Sequence, residues 1–94
     1  MKLRVSHFPQ VPCKAFQVEV NSIDEGLKIM NTLAYYDIFQ FENRIKPDYC
    51  NATTLDMWDE NSDGEGTPGW IDWYDEDGNC IDDYELVNGK AVLR

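Results

Sequence analysis

The chain has 94 residues, 43 % hydrophobic and 13 % aromatic, with 18 acidic against 8 basic side chains and a net charge of −10. That size supports one domain with a modest core; the apolar content excludes a wholly disordered acidic chain, and the charge disfavours direct binding to nucleic acid. The charge is also lopsided: residues 1–47 hold six basic and five acidic side chains, residues 48–94 hold two and 13.

Residues 1–12 carry two basic side chains and no apolar stretch long enough for a signal peptide, and no run approaches the roughly 20 apolar residues of a membrane span. The expected location is the cytosol, with no membrane span. Residues 2–8 alternate, with Leu3, Val5 and His7 on one face and Arg4 and Ser6 on the other. Residues 15–20 repeat the pattern, with Phe16, Val18 and Val20 inward. Both are predicted strands, joined through Pro9 and Pro12, which interrupt the ladder.

Ser22 followed by Glu25 forms a capping box, with Asp24 and Glu25 favourable at the positive helix end. Ile23, Leu27, Met30 and Ala34 then recur at helical spacing, and Gly26 weakens the first turn without forbidding it. The helix is predicted to run to Tyr36. A short extended piece over 38–42 follows, with Phe39 and Phe41 on one face, and Lys46, Pro47 and Asp48 mark a turn.

Residues 53–58 form a third predicted strand and 70–75 a fourth. The connecting loop, 59–69, contains Gly64, Gly66, Pro68 and Gly69 and is expected to be a mobile hairpin loop. Asp77–Gly78 and Asn88–Gly89 are tight-turn signals. Within 86–94, residues 91–93 form either a short edge strand or a loose tail. The predicted fold is α+β: residues 1–94 as a single domain, an antiparallel sheet of four or five strands with one helix packed on one face.

Strand alternation sorts the third and fourth strands into two faces. Leu55, Met57, Ile71 and Trp73 suit packing under the helix. Thr54, Asp56, Trp58, Trp70, Asp72 and Tyr74 then look at solvent, and aromatic anchors with a charged rim form a binding hot spot. With Asp59, Glu60, Asp75, Glu76 and Asp77 around them, they make a candidate protein-binding site for a basic protein, nucleic-acid-handling proteins included. A six-residue strand spans roughly 20 Å, over which duplex DNA displays about 12 phosphates; the acidic hairpin is of that order, so mimicry of nucleic acid is one form of the idea. The alternatives are that the aromatics pack on the N-terminal strands or the C-terminal segment, and that the carboxylates serve solubility.

Other chemistry has weaker support. Asp59, Asn61 and Asp63 match the opening of a calcium loop, but Trp70 stands where the closing glutamate belongs and the flanks are strands. Asp56 and Asp72 across neighbouring strands resemble a glycosidase carboxylate pair without a cleft. His7 with Cys13, Cys50 and Cys80 lacks the paired-cysteine spacing of a zinc site, and free thiols are expected. A histidine on an apolar strand face is more often a core residue. Neither an enzyme nor a bound cofactor is expected. A sequestering module for a small nucleotide or metabolite is the second reading; its positive groups would have to come from Lys2, Arg4, Lys14, Lys28, Arg44 and Lys46.

The opening Met-Lys-Leu-Arg-Val-Ser-His-Phe-Pro-Gln-Val-Pro-Cys, with Phe-Gln-Val-Glu-Val at 16–20, Tyr-Asp-Ile-Phe-Gln-Phe-Glu-Asn at 36–43 and Lys-Pro-Asp-Tyr-Cys-Asn at 46–51, resembles a family of small proteins of tailed bacteriophages and prophages known as superinfection exclusion proteins. The likeness extends through Trp-Asp-Glu at 58–60 and Trp-Ile-Asp-Trp-Tyr-Asp-Glu-Asp-Gly at 70–78 and covers most of the chain; divergence is expected over 61–68 and after Glu85. The resemblance implies a phage accessory factor expressed in the bacterial cytoplasm and acting stoichiometrically on a host or phage protein. It implies no catalytic residue.

Overall fold

A computed structural model describes residues 2–8, 14–45 and 52–94. The prolines after the first strand, the turn at Lys46, Pro47 and Asp48, and Cys13 and Cys50 lie outside the described residues. In chain order the elements are β1 (Leu3–Phe8), β2 (Phe16–Val20), α1 (Ile23–Glu42), β3 (Ala52–Asp59), β4 (Gly69–Asp72), a 3-10 turn (Ile81–Asp83), β5 (Tyr84–Val87) and β6 (Lys90–Leu93).

Four strands form one antiparallel sheet in the order β2-β1-β3-β4, and β5–β6 is a separate hairpin. The α+β arrangement is as expected, with the extra strands outside the main sheet. Pairing Leu3 with Met57, Val5 with Leu55 and His7 with Thr53 puts one side-chain set from the two central strands on one face. There Leu3, Val5, Val20 and Leu55 meet Leu27 and Met30 of α1, and Trp73 and Ile81 extend the core. Tyr84, Leu86 and Ala91 of the hairpin pack against it. The Ala91 N–H donates to Asp24 Oδ1 at 2.6 Å, tying the C-terminal segment to the first turn of α1.

The start of α1 follows its capping signal, with the Ser22 hydroxyl accepting from the Glu25 N–H at 3.1 Å. Gly26 has a packing reason. A Cβ there would lie 2.9 Å from Leu55 Cδ1, so the glycine lets the helix approach β3 closely.

The end of α1 corrects the sequence expectation. The helix continues through Glu42, and the segment expected to be extended over 38–42 is its last turn and a half. Asp37 explains why. Its carboxylate reaches His7 Nε2 of β1 at 2.7 Å, and both side chains are at most 3 % exposed. A buried carboxylate needs such a partner, and the contact anchors the helix beyond Tyr36. The other ring nitrogen of His7 meets Thr53 Oγ1 at 2.7 Å, so neither is free for a metal. Asn43 closes the helix, its backbone and side-chain N–H groups both donating to the Phe39 carbonyl.

Candidate protein-interaction site

Period-two alternation puts Arg4 and Ser6 of β1, Thr54, Asp56 and Trp58 of β3, and Trp70 and Asp72 of β4 on the sheet face away from α1. The register aligns Arg4 with Asp56 and Asp56 with Asp72 across three strands, and Trp58 with Trp70 across two. Two carboxylates directly opposite repel, and Arg4 resolves the conflict. Its Nε donates to Asp56 Oδ2 at 2.9 Å, while the hydroxyls of Ser6 and Thr54 donate to the same carboxylate at 2.6 and 3.0 Å. Asp56 is thereby fully partnered and only 7 % exposed. The sequence expectation placed it in solvent; its role in this structure is to lock β1 to β3. Asp72, across from it, is exposed.

Beside this ion pair the two tryptophans meet edge to face, centroids 5.5 Å apart. Arg4 Cζ lies 4.3 Å from the centre of the Trp70 ring, and Lys2 Nζ lies 5.3 Å from the centres of both rings. Cations at these distances are attracted to the negative ring faces. The Trp58 indole N–H donates to Glu60 at 3.0 Å. The result is a half-buried tryptophan pair under two cations, with Asp72 and Glu60 at its rim. Lys2 and Arg4 belong to this site although they are not among the residues expected there. The signal was present in the alternation of 2–8, but using it required knowing that β1 pairs with β3.

The remaining predicted site residues divide. Tyr74 is exposed and lies past the end of β4, in an isolated bridge to Cys80. Asp75 organises the next turn. Its carboxylate accepts the N–H groups of Asp77 and Asn79 at 2.9 and 2.8 Å, the Asn79 side chain, and the Tyr84 hydroxyl at 2.5 Å. The Tyr84 hydroxyl, followed by the Asn79 and Asp77 donors, pulls the Asp75 carboxyl down to about 2. The same bond pushes the Tyr84 phenol up to about 12. Glu76 and Asp77 stand exposed at the turn.

The segment with a calcium-loop opening is built as a self-capped hairpin. Asp59 accepts from the Asn61 N–H, Asn61 from the Gly66 N–H, and Asp63 from the Glu65 and Thr67 N–H groups. The Glu65 N–H, then the Thr67 side chain, hold the Asp63 carboxyl below its ordinary value. These oxygens serve backbone amides, and no cluster of His, Cys, Asp and Glu suited to a metal occurs among the described residues. No described helix is long and apolar enough to cross a membrane.

Comparison with known proteins bears on the whole of this arrangement. The family model described as superinfection exclusion gene product 17 matches residues 2–91. The superinfection exclusion protein of Salmonella phage P22 is 55 % identical, the match covering 88 % of this chain and 85 % of that protein. No solved structure matches significantly. Agreement of this extent, spanning both sheet faces, α1 and the C-terminal hairpin, places the chain in the superinfection exclusion gene product 17 family.

Proposed function

We propose that this chain takes part in superinfection exclusion inside the host bacterium as a non-enzymatic binding protein, acting stoichiometrically on a basic surface of a host or phage protein. The observation that carries the reading is the Trp58–Trp70 pair, half-buried on a sheet face whose rim holds Asp72 and Glu60. Rigid aromatics offer apolar area at low entropic cost, and rim carboxylates steer a cationic partner toward them. Proteins that handle nucleic acid present such cationic surfaces, which makes them the first class to screen.

Sequestration of a nucleotide has less support. The guanidinium on this face, that of Arg4, is committed to Asp56, and a phosphate would have to displace that carboxylate. The test is capture from a lysate of the host, with the wild-type chain beside folded Trp70→Ala and Asp72→Lys/Glu76→Lys/Asp77→Lys variants. A basic protein retained by the wild type should be lost from Trp70→Ala and become salt-labile with the charge-reversed chain. Equal retention by all three would refute this face as the binding site.

A further inference from the structure

The outward face of α1 carries a stripe that the fold leaves in solvent. Lys28, Thr32, Tyr35, Phe39 and Glu42 follow one another at steps of four, three, four and three, so they line one side of the helix, and all five are exposed. The sheet side of the same helix holds the buried Leu27, Met30 and Asp37. Beside the stripe lie Tyr36 and Ile38. Tyr35 is 71 % exposed, Tyr36 and Phe39 54 % each, and Ile38 39 %; the rings of Tyr36 and Phe39 stack at 6.4 Å.

We infer that this face pairs with the same face of a second copy of the chain, the two helices antiparallel about a two-fold axis at Tyr35. The arrangement of charge selects this occupant. Lys28 and Glu42 each lie about 10 Å of helix rise from Tyr35, on opposite sides. Antiparallel pairing therefore sets Lys28 of each copy against Glu42 of the other, closing two ion pairs around Tyr35 on Tyr35. Parallel pairing would instead oppose Lys28 to Lys28 and Glu42 to Glu42. Among the described residues, neither Lys28 nor Glu42 has an ion pair within its own chain.

Area and net charge agree. At about 200 Å² per aromatic side chain, the exposed fractions of the three rings together with Ile38 offer about 400 Å² per copy. The stems of Lys28, Asn31, Thr32 and Glu42 bring the pair to about 1,000 Å², the lower end for a specific interface. The dimer is accordingly weak and reversible. Each chain carries −10, but the excess lies in residues 48–94, whereas along the stripe itself Lys28 and Glu42 balance. Two copies can meet at their least charged side and keep the acidic halves apart. A membrane surface is the poorer occupant, because the cytoplasmic leaflet is anionic and so is this protein. Pairing through α1 leaves the tryptophan face of each copy open, so the dimer would present that face twice.

The test is sedimentation equilibrium of the full chain from about 1 µM to about 1 mM, the range that brackets the affinity of so small an interface. A monomer–dimer equilibrium is expected, abolished by Phe39→Glu and weakened about tenfold or more by Lys28→Glu or Glu42→Lys alone. The combined Lys28→Glu/Glu42→Lys chain should regain wild-type association, since the two charges are exchanged in register. All four variants are read against unchanged far-ultraviolet circular dichroism. A monomer throughout the range, a dimer indifferent to Phe39→Glu, or a double variant no better than the singles would overturn the proposal. Wild-type binding to phosphatidylglycerol vesicles without self-association would overturn it in favour of a lipid surface.

Discussion

Replacing Asp56 by alanine should destabilise the fold by about 3 kcal/mol, although the sequence alone places this residue on an exposed acidic face. The carboxylate accepts from Arg4 at 2.9 Å, Ser6 at 2.6 Å and Thr54 at 3.0 Å, and the two charged side chains are 22 % and 10 % exposed. Removing one partner of a fully buried pair costs about 3–5 kcal/mol, because the other charge is left uncompensated. Arg4 keeps some solvent and the Trp70 ring, which argues for the lower end. A chain of this length has a total stability of about 5–10 kcal/mol, so the loss is a large fraction. With a urea slope of about 1–1.5 kcal/mol/M, the unfolding midpoint should fall by about 2–3 M, followed by tryptophan fluorescence. The decisive control is Arg4→Met/Asp56→Leu. Removing both charges while keeping volume should restore stability to within about 1 kcal/mol of the parent. A single variant within about 0.5 kcal/mol of wild type, the change expected at an open surface position, would refute the account. So would a double variant as unstable as the single.

Leu27→Ala should cost about 2–5 kcal/mol in the same urea assay, since the side chain is buried between α1 and the sheet; an unchanged midpoint would show the helix face to be misassigned. The tryptophans should differ among themselves. Trp73→Ala, in the core beside Tyr84 at 5.6 Å, should cost about 3–5 kcal/mol, whereas Trp70→Ala should cost about 1–2 kcal/mol for its edge-to-face and cation contacts. Equal losses would place Trp70 in the core. The Asp75–Tyr84 bond should show at both ends of the pH range. The Asp75 carboxyl, lowered to about 2, contributes stability that is present above its ordinary value and lost as pH falls through about 2; the Tyr84 phenol, raised to about 12, contributes stability present below its ordinary value and lost as pH rises through about 12. Tyr84→Phe should move the Asp75 titration, followed by carboxyl NMR, back toward ordinary carboxylates. No movement would remove Tyr84 as the main cause.

Much of this was legible because the central strands each bury one face. Over 53–58 and 70–73 the alternation alone separated Leu55, Met57 and Trp73, which join the core or pack against it, from Asp56, Trp58, Trp70 and Asp72. The start of α1 was equally local, set by Ser22. Its end was not. From Tyr35 to Phe41 large apolar residues occupy nearly every position, so no period distinguishes helix from strand, and the contact that decides the matter joins Asp37 to His7 in a distant strand. The Asn88–Gly89 signal correctly placed a turn, but β5 has only four residues, too few to stand out before its pairing with β6 is known.

The same limit governs the acidic half, where composition counts charges without assigning them work. Asp56 is taken up by Arg4, which reaches it only because β3 pairs with β1, distant in the chain. Asp59, Asp63 and Asp75 are taken up by backbone amides of their own turns. Such carboxylates face inward toward their donors, and reversing them disturbs the fold before it disturbs a partner. Asp72, Glu76 and Asp77 are exposed, and among the described residues no side-chain hydrogen bond or ion pair engages their carboxylates. Of the 13 carboxylates after residue 47, Glu65, Asp82 and Glu85 are exposed and unengaged as well, but Asp72, Glu76 and Asp77 are the ones in the candidate site, where charge reversal separates electrostatic recognition from folding. A reversal at Asp56 or Asp75 would confound the two.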